Sequence, residues 1–268
     1  MRIKHFIIMM LTSVLLASCG TTSTVPITGR KQSLLVDDGQ VLTLSKQQYA
    51  EAMQKAKMST NTKNTAMVKR VGQKLATAVE NYLRANNYQN ELQYYEWEFN
   101  LIQNNEANAY CMPGGKIAVY EGMLTVTQDE ASLAIVLGHE IAHAVAKHSA
   151  EQMSKQIRQQ YGTQLVGGLL NQTLGGNAGQ LAAGLAQAGF NFANLKYSRD
   201  NETEADQLGL IFAAMAGYDP QTAVQFWQRM AASSKVRQSE MFSDHPSDAT
   251  RIANLQKFVP EAMKYYKK

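Results

Sequence analysis

The chain has 268 residues, 45% of them hydrophobic and 18% charged. That is length for one substantial domain or two small ones, with apolar content enough for a packed core. A formal net charge of +4, dispersed rather than clustered, argues against a nucleic-acid partner.

The N-terminus reads as a targeting segment. Arg2 and Lys4 precede an uncharged apolar run from Phe6 to Ala17, too short to span a bilayer and shaped like a signal-peptide core. The run ends in Leu16-Ala17-Ser18-Cys19, which resembles the lipobox of bacterial lipoproteins. That resemblance implies a signal peptide over 1–18 and a lipid on Cys19. Gly20 follows, with no Asp to signal inner-membrane retention, so the expected place is the outer membrane, facing the periplasm. Losing Arg2 and Lys4 takes the charge from +4 to +2. Cys19 and Cys111 are the two cysteines. A lipidated Cys19 leaves Cys111 without a partner, so no intrachain disulfide is expected, and Cys111 reads as a small packed residue.

Residues 19–40, rich in Thr and Ser with Pro26 and Gly29, read as a tether, and 41–268 as one domain. Helical patterns cover Ser45 to about Met58 and Thr65 to Arg84, the second with Val68, Val71, Leu75 and Val79 on one face. Aromatic-rich 92–102, Ala107–Cys111 and Lys116–Tyr120 read as strands, the last two joined by the turn Met112-Pro113-Gly114-Gly115. Thr127-Gln128-Asp129-Glu130 matches a capping box and predicts the start of an apolar helix. Residues 159–195 carry no charge. Scattered Gln, Asn and Gly make them Ala/Gly-rich helices over the site, or a mobile lid, rather than a membrane hairpin. Thr203 to Ala216 is helical up to Gly217. Asp219-Pro220 opens another helix, 233–246 is a loop, and Asp248–Phe258 is the last helix.

The chemistry is in the apolar helix. His139-Glu140-Ile141-Ala142-His143 is an H-E-x-x-H pattern. Residues i and i+4 share a helical face, so two imidazoles can converge on one zinc ion, with Glu140 beside its open position as general base. A catalytic zinc needs a third protein ligand. Downstream, Glu202 and Asp206 are four apart. Glu202 can ligate, and Asp206 can accept the free ring N–H of a ligating His. Glu204 competes with Glu202 but lacks an Asp four residues on, since position 208 is Leu. His148 reads as solvated. His245, before Pro246, is either a loop-ending residue or one that approaches the metal. Arg251 is a candidate to steady an oxyanion.

H-E-x-x-H followed by E-x-x-A-D resembles the HtpX-like and prenyl-protease-like gluzincin metalloendopeptidases, closest to their small periplasmic lipoprotein members. Asn108-Ala109-Tyr110-Cys111-Met112-Pro113-Gly114-Gly115, Tyr197-Ser198-Arg199 and His245-Pro246 extend the resemblance over most of 100–255. It implies a mainly helical α+β fold, a zincin-like metallopeptidase domain with a small sheet beside the active-site helix. It also implies one Zn2+ held by His139, His143 and Glu202, with Glu140 catalytic. The expected substrates are unfolded or extended envelope proteins, bound through Lys116–Tyr120 as an edge strand. A different class is a chaperone-like assembly factor for outer-membrane proteins that cleaves little.

Overall fold

The computed structural model describes residues 21–166, 183–232 and 249–267. Cys19, His245 and residues 167–182 of the uncharged 159–195 segment lie outside them. In chain order the elements are β1 (Thr21–Thr24), β2 (Lys31–Leu34), α1 (Asp38–Lys55), α2 (Thr62–Ala85), β3 (Glu98–Ile102), β4 (Ala109–Met112) and β5 (Lys116–Tyr120). They continue with α3 (Glu121–Thr127), α4 (Glu130–Val145), α5 (His148–Val166), α6 (Arg199–Met215), α7 (Thr222–Ala232) and α8 (Ala249–Ala262). The fold is α+β and mainly helical, as the sequence implies.

Helix α4 is the centre. Every residue from Ser132 to Val145 is buried, as a helix apolar on all sides requires. Its neighbours α2, α6 and α7 and the sheet share its core, in which Val68, Val71, Leu75 and Val79 of α2 meet Leu133, Val136, Leu137 and Ile141. The start of α4 is set by Asp129, whose carboxylate accepts the Ser132 N–H at 2.7 Å. Thr127 instead ends α3, and Gln128 takes a left-handed conformation between the two helices. The capping function therefore falls on Asp129, two residues later than the Thr of the pattern.

The three-stranded sheet has the order β3-β5-β4, with β3 parallel and β4 antiparallel to β5. Lys116–Tyr120 is thus the middle strand and has no free edge for a substrate. This corrects the expectation from sequence, because strand order is set by tertiary pairing. Gly114 and Gly115, both at positive φ (89° and 79°), make the tight reversal between β4 and β5. The aromatic stretch before β3 is partly a 3-10 helix, Gln89–Tyr94, so the strand starts at Glu98.

Residues 21–34, expected as part of a tether, are a hairpin. Thr21 to Thr24 pair antiparallel with Leu34 to Lys31. The Val25 side chain is buried in the main core and Leu34 in the second cluster. Pro and Gly there mark a β-turn rather than a flexible linker. Among the described residues no helix is long and apolar enough to cross a membrane.

Candidate metal centre

His139 and His143 stand one turn apart on α4, and their Nε2 atoms are 3.1 Å apart. Glu202, in the first turn of α6, completes the group: Oε2 is 3.4 Å from His139 Nε2 and Oε1 is 3.4 Å from His143 Nε2. All three residues are buried. Donors bound about 2.0–2.1 Å from a tetrahedral ion stand roughly 3.3 Å from one another, so the observed spacings match a zinc-sized cation. The donor set fits as well. Two imidazole nitrogens and a carboxylate converging in a buried space are a donor set suited to a divalent cation.

The two helices can approach this closely because each is a glycine where they cross. A Cβ on Gly209 would fall 2.7 Å from His139 N, and one on Gly138 would fall 2.7 Å from Gly209 O. Ser198 caps α6, accepting the Asn201 N–H at 3.2 Å. That fixes the phase at which Glu202, Asp206 and Gly209 emerge toward α4.

Outside the donors, His139 Nδ1 lies 2.9 Å from Asp206 Oδ1. Arg251 of α8 donates to both oxygens of that carboxylate, Nε to Oδ2 at 2.8 Å and Nη2 to Oδ1 at 2.6 Å. Its guanidinium lies over the buried Trp227 ring, 3.5 Å from the centroid. Burial alone would raise the Asp206 carboxyl, but Arg251 and His139 outweigh it and hold it low. Burial and Arg251 push His139 down, yet hydrogen bonds to Asp206 and Glu202 prevail and raise it to about 9. Burial takes His143 well below the usual imidazole range. Arg251 therefore braces Asp206, and it also reaches the donors themselves, with Nη1 3.6 Å from Glu202 Oε2 and Nη2 3.5 Å from His139 Nε2.

Glu140 is also buried. It lies close enough to Cys111 and Tyr197 for its charge to add to the effect of burial, which raises both groups. Cys111 is buried, as expected of a small packed residue. Tyr197 stacks on His143, ring centroids 4.0 Å apart and planes within 17°, and shares a hydrogen bond with Ser149 at 2.9 Å.

His148 is the clearest departure from the sequence reading. Rather than solvated, it is fully buried, with Nδ1 2.9 Å from His143 Nδ1 and Nε2 3.0 Å from Glu204 Oε2. Five residues along one helix would turn it away from His143. The helix breaks first: Lys147 adopts a left-handed conformation (φ 56°), and α5 starts at His148. Lys147 is held there by Asp38 and Glu91, both at 2.8 Å. The contact needs a non-glycine residue at positive φ, which sequence reasoning has no means to place. Glu204, set aside as a ligand, turns instead to His148 and Arg30.

Comparison with known proteins agrees with this geometry. The model of Peptidase family M48 matches residues 62–259. The mitochondrial metalloendopeptidase OMA1 of Schizosaccharomyces pombe is 38% identical over 169 residues, 62% of this chain and 48% of its own. Human metalloendopeptidase OMA1 is 29% identical over 248 residues, 89% of this chain and 46% of its own. The beta-barrel assembly-enhancing protease of Escherichia coli K12 is 29% identical over 162 residues, 59% of this chain and 33% of its own. The chain thus spans less than half the length of each of these relatives. The matched region contains His139, Glu140, His143 and Glu202 and covers most of the sequence, and the chain belongs to Peptidase family M48.

Proposed function

We propose that the protein is a zinc-dependent metalloendopeptidase of the cell envelope, with His139, His143 and Glu202 as ligands and Glu140 as general base. The observation that carries this reading is the mutual spacing of the donor atoms, 3.1 to 3.4 Å, with Glu140 next to the first of them in the same buried helix. Zinc, when bound, makes water acidic enough to give a nucleophile near neutral pH and polarises a carbonyl oxygen. Glu140 takes up the proton released on attack and returns it to the leaving amine. Asp206 holds His139 with its Nε2 lone pair toward the donors, and Arg251 keeps Asp206 anionic.

The substrate side of the proposal rests on β4. Tyr120 donates to Asn108 O at 3.0 Å, and the register pairs Tyr110 with Ala118 and Met112 with Lys116. In an antiparallel ladder the intervening residues, Ala109 and Cys111, then direct their backbone groups away from β5. This is the edge along which an extended segment adds as a strand, reading backbone more than side chains. Substrates are accordingly unfolded or extended proteins, in keeping with a quality-control role. The lipobox-like Leu16-Ala17-Ser18-Cys19 supports a lipid anchor on Cys19 in the outer membrane, facing the periplasm. The name of the relative from Escherichia coli, a beta-barrel assembly-enhancing protease, favours one alternative, an assembly factor that cleaves little.

The test is metal analysis of the purified protein, with casein digestion with and without chelator and in Glu140→Gln. The proposal expects one zinc per chain, chelator-sensitive cleavage, and a Glu140→Gln protein that keeps zinc but does not cleave. Protein without stoichiometric zinc and without chelator-sensitive cleavage refutes it. Client assembly that continues unchanged in zinc-loaded Glu140→Gln favours the assembly factor.

A further inference from the structure

The peptidase reading gives His148, Glu204 and Arg30 no task, yet they form one hydrogen-bonded line ending on His143. With His148 neutral, the polarity of that line is fixed by its partners. Two ring nitrogens 2.9 Å apart, His143 Nδ1 and His148 Nδ1, need one donor and one acceptor. The other nitrogen of His148 faces Glu204 Oε2 at 3.0 Å, and a carboxylate only accepts. A neutral His148 therefore carries its proton on Nε2 and offers the Nδ1 lone pair to His143. His143 must then carry its own proton on Nδ1, which leaves the Nε2 lone pair aimed at His139 and Glu202.

Glu204 is itself fixed from the N-terminal hairpin. The Thr28 hydroxyl donates to Oε1 at 2.5 Å and Arg30 Nε donates to Oε2 at 2.8 Å. The other arms of the Arg30 guanidinium reach both oxygens of Glu151 at 2.9 Å, and Asn201 Nδ2 donates to Glu151 at 3.0 Å. The turn that presents Thr28 and Arg30 is closed by Val25 N–H to Arg30 O at 2.8 Å and Gly29 N–H to Val25 O at 3.0 Å. The line runs unbroken from a surface hairpin to a buried imidazole.

We propose that His148, Glu204 and Arg30 are positioning residues that lock His143 in its metal-binding tautomer, which makes the β1–β2 hairpin part of the metal site. This rests on the metal-centre reading above. A metal-ligating imidazole whose second nitrogen is held by a fixed acceptor binds more tightly. Here the acceptor is another histidine, oriented in turn by a carboxylate that the hairpin clamps. Asp206 with Arg251 serves His139 in the same way, so each of the two imidazoles has its own brace.

The test measures zinc dissociation constants of the full chain by competition with a chromophoric chelator, with circular dichroism as the check on folding. His148→Leu keeps apolar bulk and removes the acceptor, and it should weaken zinc binding by about 10–100-fold. His148→Asn places Oδ1 near the former Nδ1 and should recover most of that loss, although it packs worse. Arg30→Met and Thr28→Val, two steps from the metal, should weaken binding by about threefold or more, a fraction of the effect expected of a direct partner. They decide the matter if the His148 variants do not fold. Unchanged zinc affinity in folded His148→Leu overturns the proposal, as does the reverse order, with Leu binding better than Asn. Where the His148 variants fail to fold, unchanged affinity in both Arg30→Met and Thr28→Val overturns it. A wild-type protein that binds no zinc removes the metal-centre reading and this one with it; normal wild-type binding with unaffected variants removes this one alone.

Discussion

Gly209→Ala puts one methyl group into the α4–α6 crossing. Its carbon would lie 2.7 Å from His139 N and 2.9 Å from both Gly138 C and His139 Cα. Ordinary carbon contacts are about 3.5–4.0 Å, so the helices must separate by roughly 1 Å. The atoms met are backbone in the middle of a buried helix and cannot rotate aside. Overpacking of this kind costs about 1–3 kcal/mol. The functional cost should be larger than the stability cost implies. Glu202 rides on α6 and His139 and His143 on α4, so the same displacement widens the 3.4 Å separations between the carboxylate and the imidazoles. A misplacement of about 1 Å in a catalytic group can lower kcat/KM about 100-fold. The assay pairs equilibrium urea unfolding with kcat/KM on an unstructured substrate and with zinc affinity. A Gly209→Ala protein with wild-type stability, zinc affinity and turnover would refute the claim that this close crossing assembles the site.

Asp206→Asn removes the nearer carboxylate charge that faces Arg251 and leaves it the longer pairing with Glu202 at 3.6 Å, so the loss should fall at or below the low end of the about 3–5 kcal/mol of a broken buried pair. It should also weaken zinc binding about 10–100-fold through His139, and chelator competition on the folded variant checks this. Zinc binding should be proton-linked. With His139 raised to about 9 in the metal-free site, its proton is bound at pH 7 and must leave when the metal enters. Binding at pH 7 should therefore release about one proton or more, His139's own plus any from metal-bound water, read by calorimetry in buffers of different ionisation heat. Binding at pH 7 without proton release would contradict the His139–Asp206–Glu202 geometry. Chelator treatment should lower the unfolding temperature, and added zinc should restore it, with a rise that follows the logarithm of free zinc once that exceeds Kd.

How much of the site is legible in the sequence follows the range of the interactions. The relation of His139 to His143 is local, since helical periodicity alone puts i and i+4 on one face. The same rule pairs Glu202 with Asp206 on a second helix, and the apolar residues around His139 foretell that its helix is buried. The sequence also marks β5 to the residue and the glycine turn before it. Those features depend on neighbours within a few positions, which is why a linear reading reaches them.

What only the tertiary structure decides is how separate elements meet. Nothing local distinguishes a middle strand from an edge strand, and Lys116–Tyr120 proves to be the middle one. Thr28 and Arg30 look like linker residues until Glu204, more than 170 positions away, accepts their hydrogen bonds. His148 looks exposed until a left-handed Lys147 folds it back onto His143. Arg251 looks free of buried partners until Asp206 accepts from its Nε and Nη2 and Glu202 comes within 3.6 Å of its Nη1. In each case a side chain's role is fixed by its partner, and the partner is brought within hydrogen-bonding distance only when the helices pack.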